Sequence, residues 1–369
     1  MQIVAAVTRA PNAPFTLEQI ELDAPRADEI LIRIVGAGIC HTDLVAQAGS
    51  FPMAMPAVFG HEGAGIVEAV GTEVRKVQPG DRVAITFLSC GRCPTCERHE
   101  PAYCHARRTL NYRGARADGS ATLCDGNGAI SGSFFGQSSF ATHAVALERN
   151  VVKVPQEMPL HIAGVLGCGV QTGAGAVMRS MACRPGSTLL VLGGGAVGLS
   201  AVMGAVIQGC QTIIVVEPNA LRRDLALTLG ATHTIDPAGA PDLGLAVRSI
   251  SPHGADYVLD TSGVPAVVGA VPACLAPRGT FGFVGVPPTA ARELGLPGTL
   301  LTAMGNGYTY RGIIEGDSDP DQFIPELMEL HLQGRFPFDK LIKTYPLAEI
   351  NRAIAEQQQG LCTKPVLLP

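Results

Sequence analysis

The chain has 369 residues, 47% of them hydrophobic and only 16% charged. That length suggests two domains, and that composition excludes intrinsic disorder. The net charge of −5, with no basic stripe, argues against a nucleic-acid partner. Many glycines, few aromatics and no Trp suit an α/β fold with tight strand-to-helix turns better than a β-sandwich.

A mean hydropathy of +0.25 raises the question of a membrane span. The longest uncharged run lies between Arg184 and Glu217 and contains TLLVLGGGAVGLSAVMGAVI, long enough to cross a bilayer. Gly193, Gly194 and Gly195 interrupt it, so it reads as a buried strand, a glycine turn and a buried helix, not as a membrane segment. The opening MQIVAAVTRAPNAPF has no basic n-region, apolar h-region or cleavage site and is not read as a signal peptide. Eleven cysteines without an export signal point to the reducing cytoplasm, where clustered thiols are more often metal ligands than disulfides.

In chain order, residues 22–35 end in an alternating strand. GAGIVEAVG at 63–71 and DRVAITF at 81–87 are strand-like, with turns at 71–77 and 79–80. This first part, to about residue 155, is β-rich and irregular, and residues 88–136 are loop-rich. The pattern then changes. TLLVLG, AVGLSAVMGAVIQG, TIIVVE and ALRRDLALTLG alternate strand and helix, and ADYVLDTSG and GTFGFVGVPP are again strand-like. Continuous apolar strands separated by helix-length segments predict a doubly wound parallel sheet covered on both faces. From about 313, DQFIPELMELHLQG and AEINRAIAEQQQG read as amphipathic helices returning to the first domain. The domains expected are 1–172, completed by 313–369, and 173–312.

Residues Gly193 to Gly198 fit G-x-G-x-x-G between a strand and a helix. Gly193 allows the tight turn, Gly195 lets a pyrophosphate approach the backbone, and Gly198 lets helix and strand pack closely. TIIVVE ends in Glu217, at the distance where an acidic residue binds the adenosine ribose and repels a 2′-phosphate. NAD is therefore expected rather than NADP, although Arg222 and Arg223 stand close enough to accommodate a phosphate.

Cys90, Cys93, Cys96 and Cys104 read C-x2-C-x2-C-x7-C. Four thiolates this close suit a closed tetrahedral zinc site that pins a loop and leaves no place for substrate. Disulfides and an iron–sulfur cluster are the alternatives, and short C-x2-C spacings strain a disulfide. A second set is dispersed: Cys40 in GAGICHTD, His61 in FGHEGAG with Glu62 beside it, and Cys168 in GVLGCGVQTG. Two thiolates and one imidazole are the donors of an open catalytic zinc, but spacing does not prove that they converge.

These residues resemble the zinc-dependent medium-chain alcohol dehydrogenases. GHEGAGIVEAVGTEV matches that family's zinc signature, and GICHTDL, the four-cysteine lobe, GCGVQTGAGAV, the GGGAVG turn, FVGVPP and TKPVLL extend the likeness over almost the whole chain. CHTDLV, SFFGQSSFATHA, RGIIEGDS and FPFDKLIK are most similar to the bacterial aryl-alcohol branch. The resemblance implies a GroES-like β-rich catalytic domain and a Rossmann cofactor domain. It implies two zinc ions per chain, with Cys40, His61 and Cys168 as catalytic ligands, Glu62 counted with that set, and Asp43 orienting His61. It places Thr42 where the alcohol proton is taken up, Thr172 and Val197 at the nicotinamide, Val284 in the cofactor site, and Lys364 at the pyrophosphate. Val45 stands where many relatives keep a histidine that ends the proton relay. His41 stands where some have an arginine on the pyrophosphate, so it is read as a cofactor contact that could also serve as the missing base.

The activity implied is reversible oxidation of primary aryl or allylic alcohols to aldehydes, with Phe51 and Phe87 lining the pocket. Terpene alcohols such as geraniol follow, and a glutathione-linked formaldehyde dehydrogenase is a third reading. A zinc-free reductase on the same fold would need none of these ligands, and a nonenzymatic nucleic-acid-binding zinc protein runs against the acidic charge. The family implies a homo-oligomer. Cys124, Cys183, Cys210, Cys274 and Cys362 are read as buried small hydrophobes.

Overall fold

The computed structural model describes residues 1–287 and 295–369. Pro288, which ends the strand-like run GTFGFVGVPP, lies outside the described residues. The chain divides into a first unit, Met1–Gly169 with Asp319–Gly334 and Phe338–Pro369, and a second, Val170–Ser318 with Arg335–Pro337.

The first unit is built on two mainly antiparallel sheets. In the larger, the strand Glu29–Gly38 is central and pairs with Glu62–Val70, His143–Leu147 and Lys364–Leu368. Its alternating Ile30, Ile32 and Ile34 are all buried, as the period of two requires. Register here decides what meets what. Gly38 lies opposite both Glu62 and Val366. Residues just past Gly38 therefore lie beside those just before Glu62, and beside Lys364. The sheet's pairing thus gathers Cys40, His61, Glu62 and Lys364 at one end of three strands. The helices Pro320–Leu332 and Ile350–Gln358 pack on this unit, as their amphipathic pattern predicts.

The second unit carries a six-stranded parallel sheet in the order His233–Ile235, Thr212–Val216, Thr188–Leu192, Ala255–Asp260, Leu275–Phe283, Thr309–Gly312. The order reverses at Thr188–Leu192, and ligands of such sheets bind beyond the carboxyl ends of the strands at that switch point. Leu190, Leu192, Ile214, Val216, Val258 and Phe281 form its core at 0–4% exposure. Each contributes about 1.5–3 kcal/mol through burial.

Residues 170–172, 313–318 and 335–337, expected in the first domain, group with the second. Side-chain bonds explain the shift of the first two: Gln171 Nε2 donates to Glu315 Oε2 and Ser318 Oγ donates to Gln171 Oε1, both at 3.2 Å. The uncharged run is the expected strand, turn and helix Ala196–Gln208. No single helix among the described residues is long and apolar enough to cross a membrane.

Candidate active site

Cys40 precedes the short helix His41–Gln47, and Asp43 in its first turn organises the site. The Asp43 carboxylate is fully buried. It accepts from the backbone N–H of Cys40 at 2.9 Å and of Gly60 at 3.0 Å, and from His61 Nδ1 at 2.9 Å. With the proton on Nδ1, the lone pair of His61 lies on Nε2. That atom is buried without a hydrogen-bond partner, an arrangement costing about 1–3 kcal/mol unless a ligand takes it. Ligand atoms of Cys40, His61, Glu62 and Cys168 all lie within 4.8 Å of one another. Two soft thiols, an imidazole and a carboxylate around an orphaned nitrogen fit a zinc ion, and the Asp43–His61 pair is the support such a ligand needs.

The electrostatics agree. The Cys40 thiol is held well below the usual thiol range by its hydrogen bond with Cys168, against burial and with help from His61 and Lys364. Burial pushes His61 down, but the charge of Asp43 and the hydrogen bond to it outweigh that and hold the imidazole well above its usual value. Burial pushes Glu62 up, and the charge of Lys364 offsets part of that. The pocket is thus a buried cluster of thiol, imidazole and carboxylate groups, the donor types that a zinc ion takes.

Thr42 is half-buried, with its hydroxyl 3.7 Å from Cys40 Sγ, and His41 is exposed at the helix start. Val45 is half-buried on the same helix. Aromatic rings cover the other side of His61. Phe135 stacks on the imidazole at 4.4 Å, Tyr112 meets Phe135 at 5.4 Å, and Phe51 stacks on Tyr112 at 4.8 Å and meets Phe134 at 6.2 Å. Phe135 sits at φ +52, between Ser133 at φ +56 and Ser138 at φ +54. A bulky residue in that region costs on the order of 1–3 kcal/mol, and here the strained turn lays a ring on the His61 imidazole. Of the two phenylalanines expected at the substrate, Phe51 belongs to this group. Phe87 is buried and no ring pairs with it among the described residues.

The four-cysteine lobe is a separate site. Cys90, Cys93, Cys96 and Cys104 again bring their sulfurs within 4.8 Å of one another, around the short helix Pro94–Glu97. Backbone N–H groups point at the sulfurs, Cys90 N to Cys104 at 3.2 Å and His105 N to Cys93 at 3.5 Å. The Thr95 hydroxyl and the backbone N–H groups of His105 and Cys96 pull Cys93 down to about 5, while burial pushes Cys104 up to about 12. Four thiols aimed at one point fit a closed tetrahedral metal.

In the second unit, Gly193 adopts φ +103, and a Cβ there would meet Thr261 Oγ1 at 2.6 Å. A Cβ on Gly198 would fall 1.9 Å from Gly193 O, whereas at Gly195 it would meet nothing within 4 Å. The turn thus leaves open space at the N-terminus of Ala196–Gln208, where a phosphate fits. Glu217 closes the far side. Its carboxylate accepts from Gly194 N at 2.7 Å and Asn219 N at 2.9 Å. Arg222 donates its backbone N–H to Asn219 Oδ1 at 3.2 Å. Arg223 bonds the carbonyls of Glu217 and Pro218 and pairs with Asp236 at 3.1 Å. A Cβ on Gly173 would fall 1.9 Å from Val197 O, so Gly173, next to Thr172, lies close against Val197 at this turn. Thr172 Oγ1 donates to Glu315 at 3.3 Å, and Val284 N donates to Asp260 O at 2.9 Å.

Comparison with known proteins bears on both units. The alcohol dehydrogenase GroES-like domain model matches residues 26–156, and the zinc-binding dehydrogenase model matches residues 196–331. A geraniol dehydrogenase from Castellaniella defragrans is 48% identical over 99% of this chain and 97% of its own length. The chain belongs to the zinc-dependent medium-chain alcohol dehydrogenases. A crystal structure of a zinc-binding-domain alcohol dehydrogenase protein from Burkholderia ambifaria superposes with a TM-score of 0.96 at 48% identity, covering 100% of this chain and 99% of that one. The crystal structure of benzyl alcohol dehydrogenase from Acinetobacter calcoaceticus gives 0.95 at 38% identity with the same coverage. The GroES-like and Rossmann halves, a zinc site, a nicotinamide cofactor and a small-molecule alcohol substrate follow from that membership.

Within this alcohol dehydrogenase, one expected role changes. Lys364, expected on the cofactor pyrophosphate, is 2% exposed. Its Nζ donates to both oxygens of Glu62 at 2.8 Å and to Ile39 O at 3.2 Å. A buried ammonium needs such partners, and these leave it no free position for a phosphate. Cys124 and Cys210, expected buried, are only partly so. Tyr112, Phe134 and Phe135 went unassigned in the sequence. Their signal was the FF of SFFGQSS, whose likeness to relatives says nothing about which ring meets which.

Proposed function

We propose that this alcohol dehydrogenase reversibly oxidises primary aryl and allylic alcohols of the benzyl-alcohol type to aldehydes, with NAD as oxidant. The observation that carries the reading is the ligand set around His61 Nε2 with aromatic rings packed against it. Cys40, His61 and Cys168 hold the catalytic zinc, with Glu62 as a fourth donor within reach, and Cys90, Cys93, Cys96 and Cys104 hold a second, structural zinc. When bound, zinc supplies the Lewis acidity that lowers the alcohol's hydroxyl pKa, and the nicotinamide supplies the hydride acceptor. Asp43 keeps the Nδ1 proton in place and so fixes the imidazole. Thr42, beside Cys40, takes the alcohol proton. Valine at position 45 carries none, so the proton would leave through water or the exposed His41. Phe51, Tyr112 and Phe135 offer flat π faces that match an aromatic ring or an alkene better than a saturated chain.

NAD rather than NADP is supported by Glu217. Its carboxylate faces the glycine turn, where a 2′-phosphate would meet a like charge, and Arg223 is already engaged with two carbonyls and Asp236. Gly193, Gly195, Gly198, Val197, Thr172 and Val284 shape the cofactor site. A homo-oligomer, dimer or tetramer, is supported by Leu300, Leu301 and Met304 of the helix Leu300–Asn306, which are 91%, 73% and 75% exposed near the edge strand Thr309–Gly312. All eleven cysteines are free thiols, which fits a cytoplasmic location.

A second reading, a terpene alcohol as substrate, is favoured by the 48% identity to a geraniol dehydrogenase. The test measures NADH formation from benzyl alcohol, geraniol, ethanol and hydroxymethyl-glutathione, with and without a zinc chelator. Chelator-sensitive turnover of benzyl alcohol or geraniol, with little of ethanol, is expected and ranks the two readings. Activity only on the glutathione adduct moves the enzyme to another branch, and failure to reduce NAD with any alcohol overturns the proposal.

A further inference from the structure

The turn that carries Phe135 is fastened, position by position, to the segment that carries His61. Ser138 Oγ donates to Val58 O at 2.7 Å. Phe140 N donates to Phe59 O at 3.0 Å, and Ser139 N to Gly60 O at 2.9 Å. At His61 the donor changes, because Gln137 N is spent inside the turn on Phe134 O at 3.1 Å. The Gln137 side chain makes the crossing instead. Its Nε2 donates to His61 O at 2.9 Å, and its Oε1 accepts from Gly63 N at 3.0 Å. The side chain is buried, at 2% exposure. One donor and one acceptor on a single amide match one carbonyl and one N–H of the opposite segment, so the orientation of the amide is fixed. The approach is close: a Cβ on Gly63 would stand 3.0 Å from Gln137 Oε1 and 2.7 Å from Ser139 Cβ.

We propose that Gln137 is a positioning residue that fixes the His61 imidazole and the Phe135 ring to each other, and so sets both metal retention and the preference for flat substrates. The inference rests on the reading of His61 as a zinc ligand and of the rings as the substrate wall. Ser133, Phe135 and Ser138 all hold left-handed φ angles, and backbone of this kind persists only where its surroundings over-determine it. Asn150 holds the turn from behind. It is fully buried, and its Nδ2 donates to Gly136 O at 3.1 Å and to Phe135 O at 3.3 Å while its Oδ1 accepts from Leu147 N at 2.9 Å. Gln137 ties the same turn to the histidine itself.

His61 and the turn are therefore joined twice, ring to ring through Phe135 at 4.4 Å and 22°, and backbone to side chain through Gln137. Asp43 holds the imidazole at Nδ1, whereas Gln137 holds the backbone from which that imidazole projects. A ligand set works only while its supporting groups keep it in place. Without Gln137, His61 O and Gly63 N lose these partners in the interior, and the turn is free to carry its ring away from the imidazole.

The test compares the wild-type enzyme with Gln137→Met, which keeps the length of the side chain and forms neither bond. Three quantities are measured: amide hydrogen exchange over residues 57–64 and 131–141, zinc affinity by competition with a chromogenic chelator, and kcat/KM for benzyl alcohol against ethanol. Exchange should quicken in both segments, in the metal-free protein as well. Zinc affinity should fall by about 10–100-fold for one ion per chain, as for other supports of metal-bound histidines. The ratio of benzyl alcohol to ethanol should fall too, and the double variant of Gln137→Met with Phe135→Leu should lose no more of it than Phe135→Leu alone, because both act through one ring. If Gln137→Met does not fold, Gln137→Glu serves instead: its carboxylate still accepts from Gly63 N but donates nothing to His61 O. A lower melting temperature with unchanged zinc affinity and unchanged ratio marks a residue that only supports the fold, and overturns the proposal. Additive losses in the double variant overturn it as well. If the wild-type enzyme oxidises neither alcohol, the functional reading fails on its own; unchanged zinc affinity then overturns the role of Gln137, and weakened affinity upholds it.

Discussion

The two metal-ligand sets of the first unit use the same chemistry in opposite ways. Cys90, Cys93, Cys96 and Cys104 lie in one short stretch, and local turns alone gather them. Cys90 and Cys93 are partly exposed. Four like donors converge there. Cys40, His61, Glu62 and Cys168 come from separate elements, and strand register brings three of them together. They are surrounded by groups with further duties: Asp43 on His61, Lys364 on Glu62, Phe135 on the imidazole. A closed set of local ligands can only hold a loop. An open set carried by a β ladder, with an orphaned nitrogen and a wall of rings, can hold a loop and also act on a substrate.

The largest effects should separate these roles. Cys40→Ser or His61→Ala should reduce alcohol-dependent NADH formation to background while far-UV circular dichroism stays native, and zinc content should fall by one ion per chain. Retention of most activity would break the distinction at its root. Cys93→Ser should also remove one zinc, but its main effect should be on stability. A melting temperature lower by on the order of 10 °C is expected, on a scale of about 2–4 °C per kcal/mol for domains of this size. The folded fraction should keep substantial kcat. A Cys93→Ser enzyme with unchanged melting and full metal content would show that the lobe holds no structural metal.

The contrast also explains what the sequence made legible. The lobe and the glycine turn are local, so the C-x2-C spacings and Gly193 to Gly198 could be read directly. The strands Thr188–Leu192, Thr212–Val216, Ala255–Asp260 and Leu275–Phe283 announced themselves as strand-like runs because the middle of that sheet is buried, whereas His233–Ile235 and Thr309–Gly312, at its exposed edges, gave no such run. Cys40 and His61 are joined by strand register and Cys168 by a turn between two helical segments, neither of which a single sequence displays, and a family likeness was needed to place them together. Lys364 shows the limit of that likeness. Position alone put it on a phosphate, whereas burial and the pairing of Val366 with Gly38 deliver it to Glu62. The boundary near 313 moved for a similar reason, because the bonds of Gln171 to Glu315 and Ser318 are long-range side-chain contacts.

Asp43→Asn tests the layer behind the ligands. Asparagine keeps the shape but presents a neutral amide to His61 Nδ1, so the imidazole loses its charged acceptor. A loss of about 10–100-fold in zinc affinity or in kcat/KM is expected, as for other supports of metal-bound histidines. Measuring zinc release to a chromogenic chelator beside kcat/KM distinguishes loosened metal from a misplaced substrate. The same substitution should leave the lobe's zinc and its share of the melting temperature untouched, since Asp43 bonds only Cys40, Gly60 and His61 among the contacts described.

The smallest effect belongs to the aromatic wall, and it is the one that sharpens the substrate reading. Phe135→Leu keeps an apolar side chain of similar reach on the strained turn but removes the π face stacked on His61. An aromatic pair is worth about 0.5–1.5 kcal/mol beyond its buried area, which corresponds to roughly a two- to twelve-fold change. If the wall only packs the core, kcat/KM for benzyl alcohol, geraniol and ethanol should fall together, because the histidine is loosened for all three. If it reads the substrate, benzyl alcohol should lose most and ethanol least. Phe51→Leu, farther from His61 and joined to it through Tyr112 and Phe135, should then repeat the change in selectivity with less change in zinc retention. The ratio of ratios between the two variants therefore measures how much of the preference lies in the ring nearest the metal and how much in the chain of rings behind it.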